Sequence, residues 1–166
     1  SIAKITFINQ DEQRGLGDAV LMAEEFVGDF PFVVLLGDTI CTGDPNCTRG
    51  LIELFKKTNK SVFAVEEIPY EFTTRYGVIE GKEISHNLWN VSHLVEKPLP
   101  EEAPSNLGII GRYLFTPDFF NHQRKIVSGV GGEIQLTDAM ESFVKEKEIL
   151  AWIFSGKRYD IGTMDD

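Results

Sequence analysis

Basic residues are scarce in this chain. Lysine and arginine number 16 against 26 acids, for a formal charge of −10, which excludes the basic face that a nucleic-acid surface requires. A polyanionic ligand must therefore be held locally, by particular lysines, arginines, backbone amides or a metal. Cysteine is rarer still. Cys41 and Cys47 are the two present; their spacing matches no common zinc ligand set, and two free thiols fit a reducing compartment. No apolar run approaches the roughly 18 residues of a membrane span, and the opening residues carry no secretory pattern. The glycosylation sequons at Asn46, Asn59 and Asn90 are accordingly read as chance, and the expected location is the cytoplasm. His86, His93 and His122 are isolated and show no ligand spacing. There is no P-loop signature, and Gly15-Leu16-Gly17 begins a dinucleotide fingerprint that Val20 breaks.

What is there is the balance of a globular protein. At 166 residues, 42% apolar and 25% charged, the chain has the length for one domain, residues 1–166, with a real core. Both ends run directly into strand-like sequence, Ile2 at one and Asp160-Ile161-Gly162 at the other, which leads us to expect a fragment of something longer. The pattern is organised around Phe32-Val33-Val34-Leu35-Leu36-Gly37-Asp38. An unbroken apolar run ending in glycine and an acid predicts a buried, parallel strand with Asp38 at its carboxyl end, where open α/β sheets bind ligands. An aspartate there suits Mg²⁺, which takes oxygen ligands and usually holds substrate phosphates as well.

Along the chain, residues 2–9 read as a strand, 10–17 as a glycine-punctuated loop and 18–27 as a helix with Gly28 just past its end. That β-loop-α-β opening predicts a parallel pair with a right-handed crossover. Thr48 is the expected cap of a helix bearing Leu51, Leu54 and Phe55. Ser61–Glu66 is the next strand. Residues 76–80, 88–94 and 107–115 read as strands without long helices between them, an antiparallel or mixed patch on the parallel sheet. Thr116-Pro117 predicts the start of a short helix to about Arg124. A glycine cluster at 129–132 precedes a helix carrying Leu136, Ala139, Met140, Phe143 and Val144, with Asp138 and Glu141 spaced as a capping box. Residues 149–154 form a last strand before Lys157-Arg158-Tyr159-Asp160, and Trp89 and Trp152 read as core or interface. The fold class is α/β, a Rossmann-like, mixed but mainly parallel sheet flanked by helices.

Three further features carry chemistry. The Gly15 loop is a strand-to-helix turn that can lie flat against a base or hold an anion on backbone amides. Glu96-Lys97-Pro98 places an acid that can accept bonds from sugar hydroxyls beside an ammonium that can pair with a phosphate, with proline setting the exit from the strand. Asp160, beside Gly162, is a second candidate metal carboxylate; by spacing alone it is equally a turn residue.

Taken in order, Gln10…Gly15-Leu16-Gly17-Asp18-Ala19, Leu35-Leu36-Gly37-Asp38, Tyr76-Gly77-Val78-Ile79, Val95-Glu96-Lys97-Pro98, Asn106–Tyr113, Gly131–Ala139 and Tyr159-Asp160-Ile161-Gly162 resemble the sugar-1-phosphate nucleotidyltransferases. The bacterial-type UTP–glucose-1-phosphate uridylyltransferases are the nearest branch. The resemblance implies transfer of a uridylyl group from UTP to glucose 1-phosphate, giving UDP-glucose and pyrophosphate without a covalent enzyme intermediate. It implies Gln10 and Gly15 as readers of the uracil and Asp38 and Asp160 as holders of Mg²⁺. It further implies Gly77 and Glu96 at the glucose, Lys97 at the sugar phosphate, and Lys97 and Asp38 as the catalytic pair.

The resemblance has departures. The family's glycine-rich G-x-G-T-R loop and first strand have no counterpart here, nor does a C-terminal helical segment used in oligomer contacts, so the expected fold is truncated at both ends and inactive alone. Position 18 is Asp where uridylyl-type relatives commonly have His, an acid that would disfavour a bound anion. The alternatives are a thymidylyl or other nucleotidyltransferase on a different sugar phosphate, and a non-catalytic nucleotide-sugar-binding remnant. A metal-dependent glycosyltransferase is disfavoured because Asp38 is followed by Thr39-Ile40 rather than completing D-x-D. An exposed apolar sheet edge predicts a homo-oligomer.

Overall fold

The computed structural model describes residues 2–127 and 132–162; Gly129, Val130 and Gly131 of the expected glycine cluster lie outside the described residues. The elements are α1 (Leu16–Leu21), α2 (Glu24–Val27), β1 (Phe32–Leu35), β2 (Thr39–Thr42), α3 (Cys47–Thr58), β3 (Ser61–Glu67), β4 (Gly77–Ser85), β5 (Leu88–Glu96), β6 (Leu107–Phe115), α4 (Phe119–Gln123), α5 (Leu136–Val144), β7 (Ile149–Ile153) and β8 (Lys157–Asp160), with a 3-10 turn at Tyr70–Arg75. Six strands form one sheet in the order β1-β6-β3-β7-β5-β4, and β4 meets β6 again where Val78 pairs with Gly108; β2 and β8 form a separate pair. No helix among the described residues is long and apolar enough to cross a membrane.

The sheet is mixed, as expected, but it is mostly antiparallel rather than mainly parallel. Among the described strands, β3–β7 is the one parallel pairing. β1 shows where the expectation failed: it runs antiparallel to β6 and is only partly buried, with Leu35 exposed. β6, expected in an antiparallel or mixed patch, runs antiparallel to both β1 and β3 and is buried at all nine residues. An unbroken apolar run says nothing of direction. Direction follows from connections: β4 returns directly as β5 in a hairpin, and β6, reached without an intervening α-helix, lies antiparallel beside β4 and β3 rather than beside β5.

Two cores cover the two faces. On one, α4 and α5 pack Phe119, Phe120, Ala139, Met140 and Phe143 against Phe63, Val65, Ile109, Tyr113 and Phe115. On the other, Cys47 and Leu51 of α3 meet Val62, Ala64, Ile110 and Leu114. The period of two along β3 and β6 assigns alternate side chains to opposite cores. Phe115 and Phe119 stack with ring centroids 3.9 Å apart, and Phe32 stacks on Phe120 at 4.6 Å.

Several local expectations need correction. Residues 2–9 form no strand and expose Ile2, Ile5 and Phe7; alternation alone does not make a strand without a partner to pair with. The helix expected over 18–27 is two short helices, because Ala23 bonds back to Val20 in a tightened turn. Asn46, not Thr48, caps α3, its side chain accepting from the Arg49 amide at 2.8 Å. The helix after Thr116-Pro117 starts two residues later, at Phe119. No capping box forms at Asp138. α5 already begins at Leu136, and Glu141 instead accepts from the Leu94 amide at 2.9 Å.

Phe119 is fully buried within the aromatic stack, so Phe119→Ala should lower stability by about 3–5 kcal/mol in urea unfolding, with the slope unchanged. The thiols should be inert. Burial pushes Cys47 up to about 12 and raises Cys41 as well, so native iodoacetamide labelling at pH 8, read by mass spectrometry, should leave Cys47 unmodified until the chain is unfolded.

Candidate functional site

After β1 the chain turns through Leu36, Gly37 and Asp38 into β2. Arg112, buried in β6, holds that turn. Its Nη1 donates to the carbonyls of Leu36 at 2.9 Å and Gly111 at 2.8 Å, and its Nη2 donates to the carbonyl of Thr39. The guanidinium thus grips the backbone on either side of residue 38 while the Asp38 side chain stays exposed.

Pairing of β2 with β8 then brings in the second acid. Thr39 lies opposite Asp160, and the Ile161 amide donates to the Asp38 carbonyl at 2.8 Å. A side-chain carbon at Gly162 would stand 3.3 Å from Asp160 Oδ1 and 3.5 Å from Asp38 Oδ2, so the two carboxylates share the space that glycine leaves open. Among the described residues no cluster of three or more His, Cys, Asp or Glu could hold a metal. A pair of aspartates fits Mg²⁺, which completes its shell with water and phosphate oxygens.

Asp160 is also fixed in orientation. Its Oδ2 accepts from the Tyr76 hydroxyl at 3.1 Å and Arg158 Nη1 at 3.0 Å, and its Oδ1 from the Gly162 amide at 3.1 Å. Burial works against its charge, but the Gly162 amide, Tyr76 and Arg158 together hold the carboxyl below the usual aspartate range. Arg158 in turn is pinned by Glu66, with Nε 2.5 Å from Oε1, and stacks over the Tyr76 ring.

The facing wall comes from the β4–β5 hairpin. Gly77 pairs with Glu96, and Glu96 Oε2 accepts from the Thr137 hydroxyl of α5 at 2.7 Å. A Cβ at Gly77 would lie 3.2 Å from both Glu96 Oε2 and Thr137 Oγ1, so a side chain here would push on the Glu96–Thr137 pair. Lys97 follows with φ of 47°, a left-handed conformation for a residue with a side chain, which costs about 1–3 kcal/mol. Its Nζ is 3.5 Å from Glu96 Oε1 and largely exposed.

Asp38, Gly77, Glu96, Lys97 and Asp160 line one cleft of about 310 Å³, together with Leu36, Arg75, Tyr113, Thr137 and Arg158. Gln10 and Gly15 are not among its lining residues. Their loop docks instead through backbone bonds, Ile134 N–H to Arg14 O at 2.7 Å and Gly17 N–H to Ile134 O at 2.8 Å. Gly15 has φ of 114°, and a Cβ there would fall 2.7 Å from the Ile134 carbonyl; the close approach is possible only with glycine. Asp18 is buried, its carboxylate 2.9 Å from Arg14 Nη2 and 2.7 Å from Gln10 Nε2.

Arg75, Tyr113, Thr137 and Arg158 escaped the sequence reading. Arg158 carries a signal, standing two residues before Asp160 on the same strand face. Tyr113 carries none: burial, with the Glu96 and Asp38 carboxylates adding to it, pushes its phenol up, so it presents a protonated hydroxyl to the cleft. The lining sets Asp38, Glu96, Glu133 and Asp160 against Arg75, Lys97 and Arg158. With Arg158 committed to Glu66 and Asp160, a polyphosphate entering here needs added positive charge, which is the role a divalent ion on the two aspartates would fill.

The Asp160 network makes a checkable prediction. Because its folded pKa is lowered, the interaction stabilises the fold above the ordinary aspartate range of about 3.9 and is lost as pH falls through the lowered value. In carboxyl-carbon NMR titration Asp160 should titrate below that range, and Tyr76→Phe, which removes one donor, should move its midpoint upward.

Comparison with known proteins gives consistent matches. The family model described as "Nucleotidyl transferase" matches residues 2–166. A UTP--glucose-1-phosphate uridylyltransferase 2 of Staphylococcus saprophyticus is 45% identical over 161 residues, 97% of this chain and 56% of that protein. The UTP--glucose-1-phosphate uridylyltransferase of Bacillus subtilis is 44% identical over 162 residues, 98% of this chain and 56% of that one. A crystal structure of UDP-glucose pyrophosphorylase complexed with UDP-glucose superposes with a TM-score of 0.93 at 39% identity, covering 95% of this chain and 61% of that chain. The chain thus spans about half the length of the curated relatives it matches.

Proposed function

This chain belongs to the nucleotidyl transferase family, and from that premise we propose that its cleft serves uridylyl transfer from UTP to glucose 1-phosphate, yielding UDP-glucose and pyrophosphate. The observation that carries the reading is the pairing of two walls across one cleft: Asp38 and Asp160 on one, Gly77, Glu96 and Lys97 on the other. That is the donor set a sugar phosphate and a metal-bound nucleotide require. The relatives' names and the UDP-glucose in the matched crystal structure support the choice of uridine and glucose.

In this reading Glu96, with Oε2 committed to Thr137, turns Oε1 to the glucose hydroxyls that fit the space at Gly77. Lys97 binds the sugar phosphate as a point charge and aims its oxygen at the α-phosphorus of UTP. That oxygen forms the new P–O bond as the bond to the β-phosphate breaks and pyrophosphate leaves. Asp38 and Asp160 would hold Mg²⁺, which supplies charge neutralisation to the phosphates when bound. The protein's own contribution is positioning: Arg112 sets Asp38, Tyr76 and Arg158 set Asp160, and the Tyr113 hydroxyl offers a donor between the two walls. Gln10 and Gly15 read the uracil. We also propose that copies of the chain associate through the free edge of β1, whose one partner among the described strands is β6; light scattering at high concentration should show a dimer or larger species.

Calorimetric titration of the chain with UDP-glucose and Mg²⁺ tests the core of the proposal. Saturable binding is expected, weakened about ten- to a hundredfold by Lys97→Ala, the loss of one charge-assisted bond, and made insensitive to Mg²⁺ by Asp38→Asn. Binding that both variants leave unchanged would place the nucleotide sugar elsewhere.

A further inference from the structure

We infer that Asp18 is a positioning residue that sets the hydrogen-bonding polarity of Gln10, and so makes this loop select a pyrimidine with an N–H donor on its edge. The inference deepens the proposal above and rests on its reading of Gln10 as the base contact. Gln10 Nε2 donates to Asp18 Oδ2 at 2.7 Å and to the Gly15 carbonyl at 3.1 Å. Both partners are acceptors, so both amide hydrogens are used. Turning the amide over would place its oxygen against a carboxylate and a carbonyl, leaving two acceptors unpaired and three oxygens in contact. Asp18 cannot swing aside. It is 2% exposed, and its other oxygen is 2.9 Å from Arg14 Nη2.

Oε1 is therefore the polar atom Gln10 has left, and among the described residues it has no hydrogen-bond partner. A cavity of about 280 Å³ opens beside it, lined by Asn9, Gln10, Arg14, Asp18 and Met22 among others. An acceptor locked in this way takes the N3–H of uracil or thymine. It faces the unprotonated N3 of cytosine with a second lone pair, which disfavours cytosine in that register. The acid at position 18 is then neither a free charge beside the nucleotide nor a cost to anion binding, since its charge is spent on Arg14 and Gln10. It supplies the acceptor that neutral side chains at this position would offer less rigidly.

Two measurements on the chain separate this inference from the reading beneath it. In ¹⁵N-labelled protein the Gln10 side-chain protons should exchange with solvent about tenfold more slowly than those of exposed Gln13, and Asp18→Asn should abolish that difference. In titrations with UDP-glucose and CDP-glucose, the wild-type chain should prefer the uridine ligand by about tenfold or more, the worth of one hydrogen bond. Asp18→Asn should bring that ratio close to one. Should Asp18→Asn not fold, Gln10→Met, at a half-buried loop position, should remove the preference in the same way. Protected Gln10 protons with an undiminished preference in Asp18→Asn would overturn the inference alone, whereas an undiminished preference in Gln10→Met would overturn the reading of Gln10 as the base contact and the inference with it. Failure of the wild-type chain to bind either nucleotide would overturn the functional reading and this inference with it.

Discussion

One buried guanidinium underlies the site. Arg112 lies in the middle strand of three, among apolar neighbours, and meets the cost of its burial by donating to the carbonyls of Leu36, Gly111 and Thr39. The Leu36 and Thr39 carbonyls flank the turn that carries Asp38. If the turn moves away, the buried guanidinium loses its bonds to the Leu36 and Thr39 carbonyls, a penalty of several kcal/mol for a cation left short of partners. Through the turn, β2 is placed for pairing with β8, and that pairing brings Asp160 to Asp38. A single long side chain in the sheet thus converts a strand end into a two-carboxylate site.

The same device recurs around the cleft: a carboxylate held by fixed donors. Asp160 is held by Tyr76, Arg158 and an amide, Glu96 by Thr137, and Asp18 by Arg14 and Gln10. In each case one oxygen or one neighbouring group is left with a defined polarity. This is preorganisation in a form that costs little at the moment of binding, because the donors are already in place. In the proposed reading it also accounts for how a chain of net charge −10 would receive phosphates. The acids are arranged to gather cations, and the cations, Lys97 foremost, stand where an anion can reach them.

How much of this was legible in the residues depends on what each signal measures. Asp38, Glu96, Lys97 and Asp160 were named from the sequence because each stands at or next to a strand end within two residues of glycine or proline, and the structure gathers them in the lining of one cavity. Gln10 and Gly15 belong to a neighbouring loop, joined to the site through Ile134. Helix positions were recovered to within a turn, and Gly28 does end its helix in a positive-φ conformation, but the N-caps were not recovered. Asn46, Thr48 and Asp138 are all competent capping residues, and the choice among them is made by packing of Cys47, Leu51 and Leu136 into the cores. Strand direction was misjudged at β1, whose apolar continuity was taken as the mark of a buried parallel strand. It runs antiparallel to β6 and is only partly buried, with Leu35 exposed, whereas the antiparallel or mixed patch expected from 76–80, 88–94 and 107–115 is what β4, β5 and β6 supply.

By itself the sequence determined the α/β class, the two apolar faces of each central strand and the residue types able to hold phosphate, sugar and metal, because periodicity and chemical identity are local properties. Only the tertiary structure decided that β6 runs antiparallel between β1 and β3, that Arg112 rather than a local turn signal sets Asp38, and that Asp18 faces Gln10 instead of solvent. Those outcomes depend on contacts between residues far apart in the chain, such as Phe32 with Phe115 and Leu36 with Arg112. No local pattern records which distant partner will fill a hydrogen-bonding need once the chain has closed on itself.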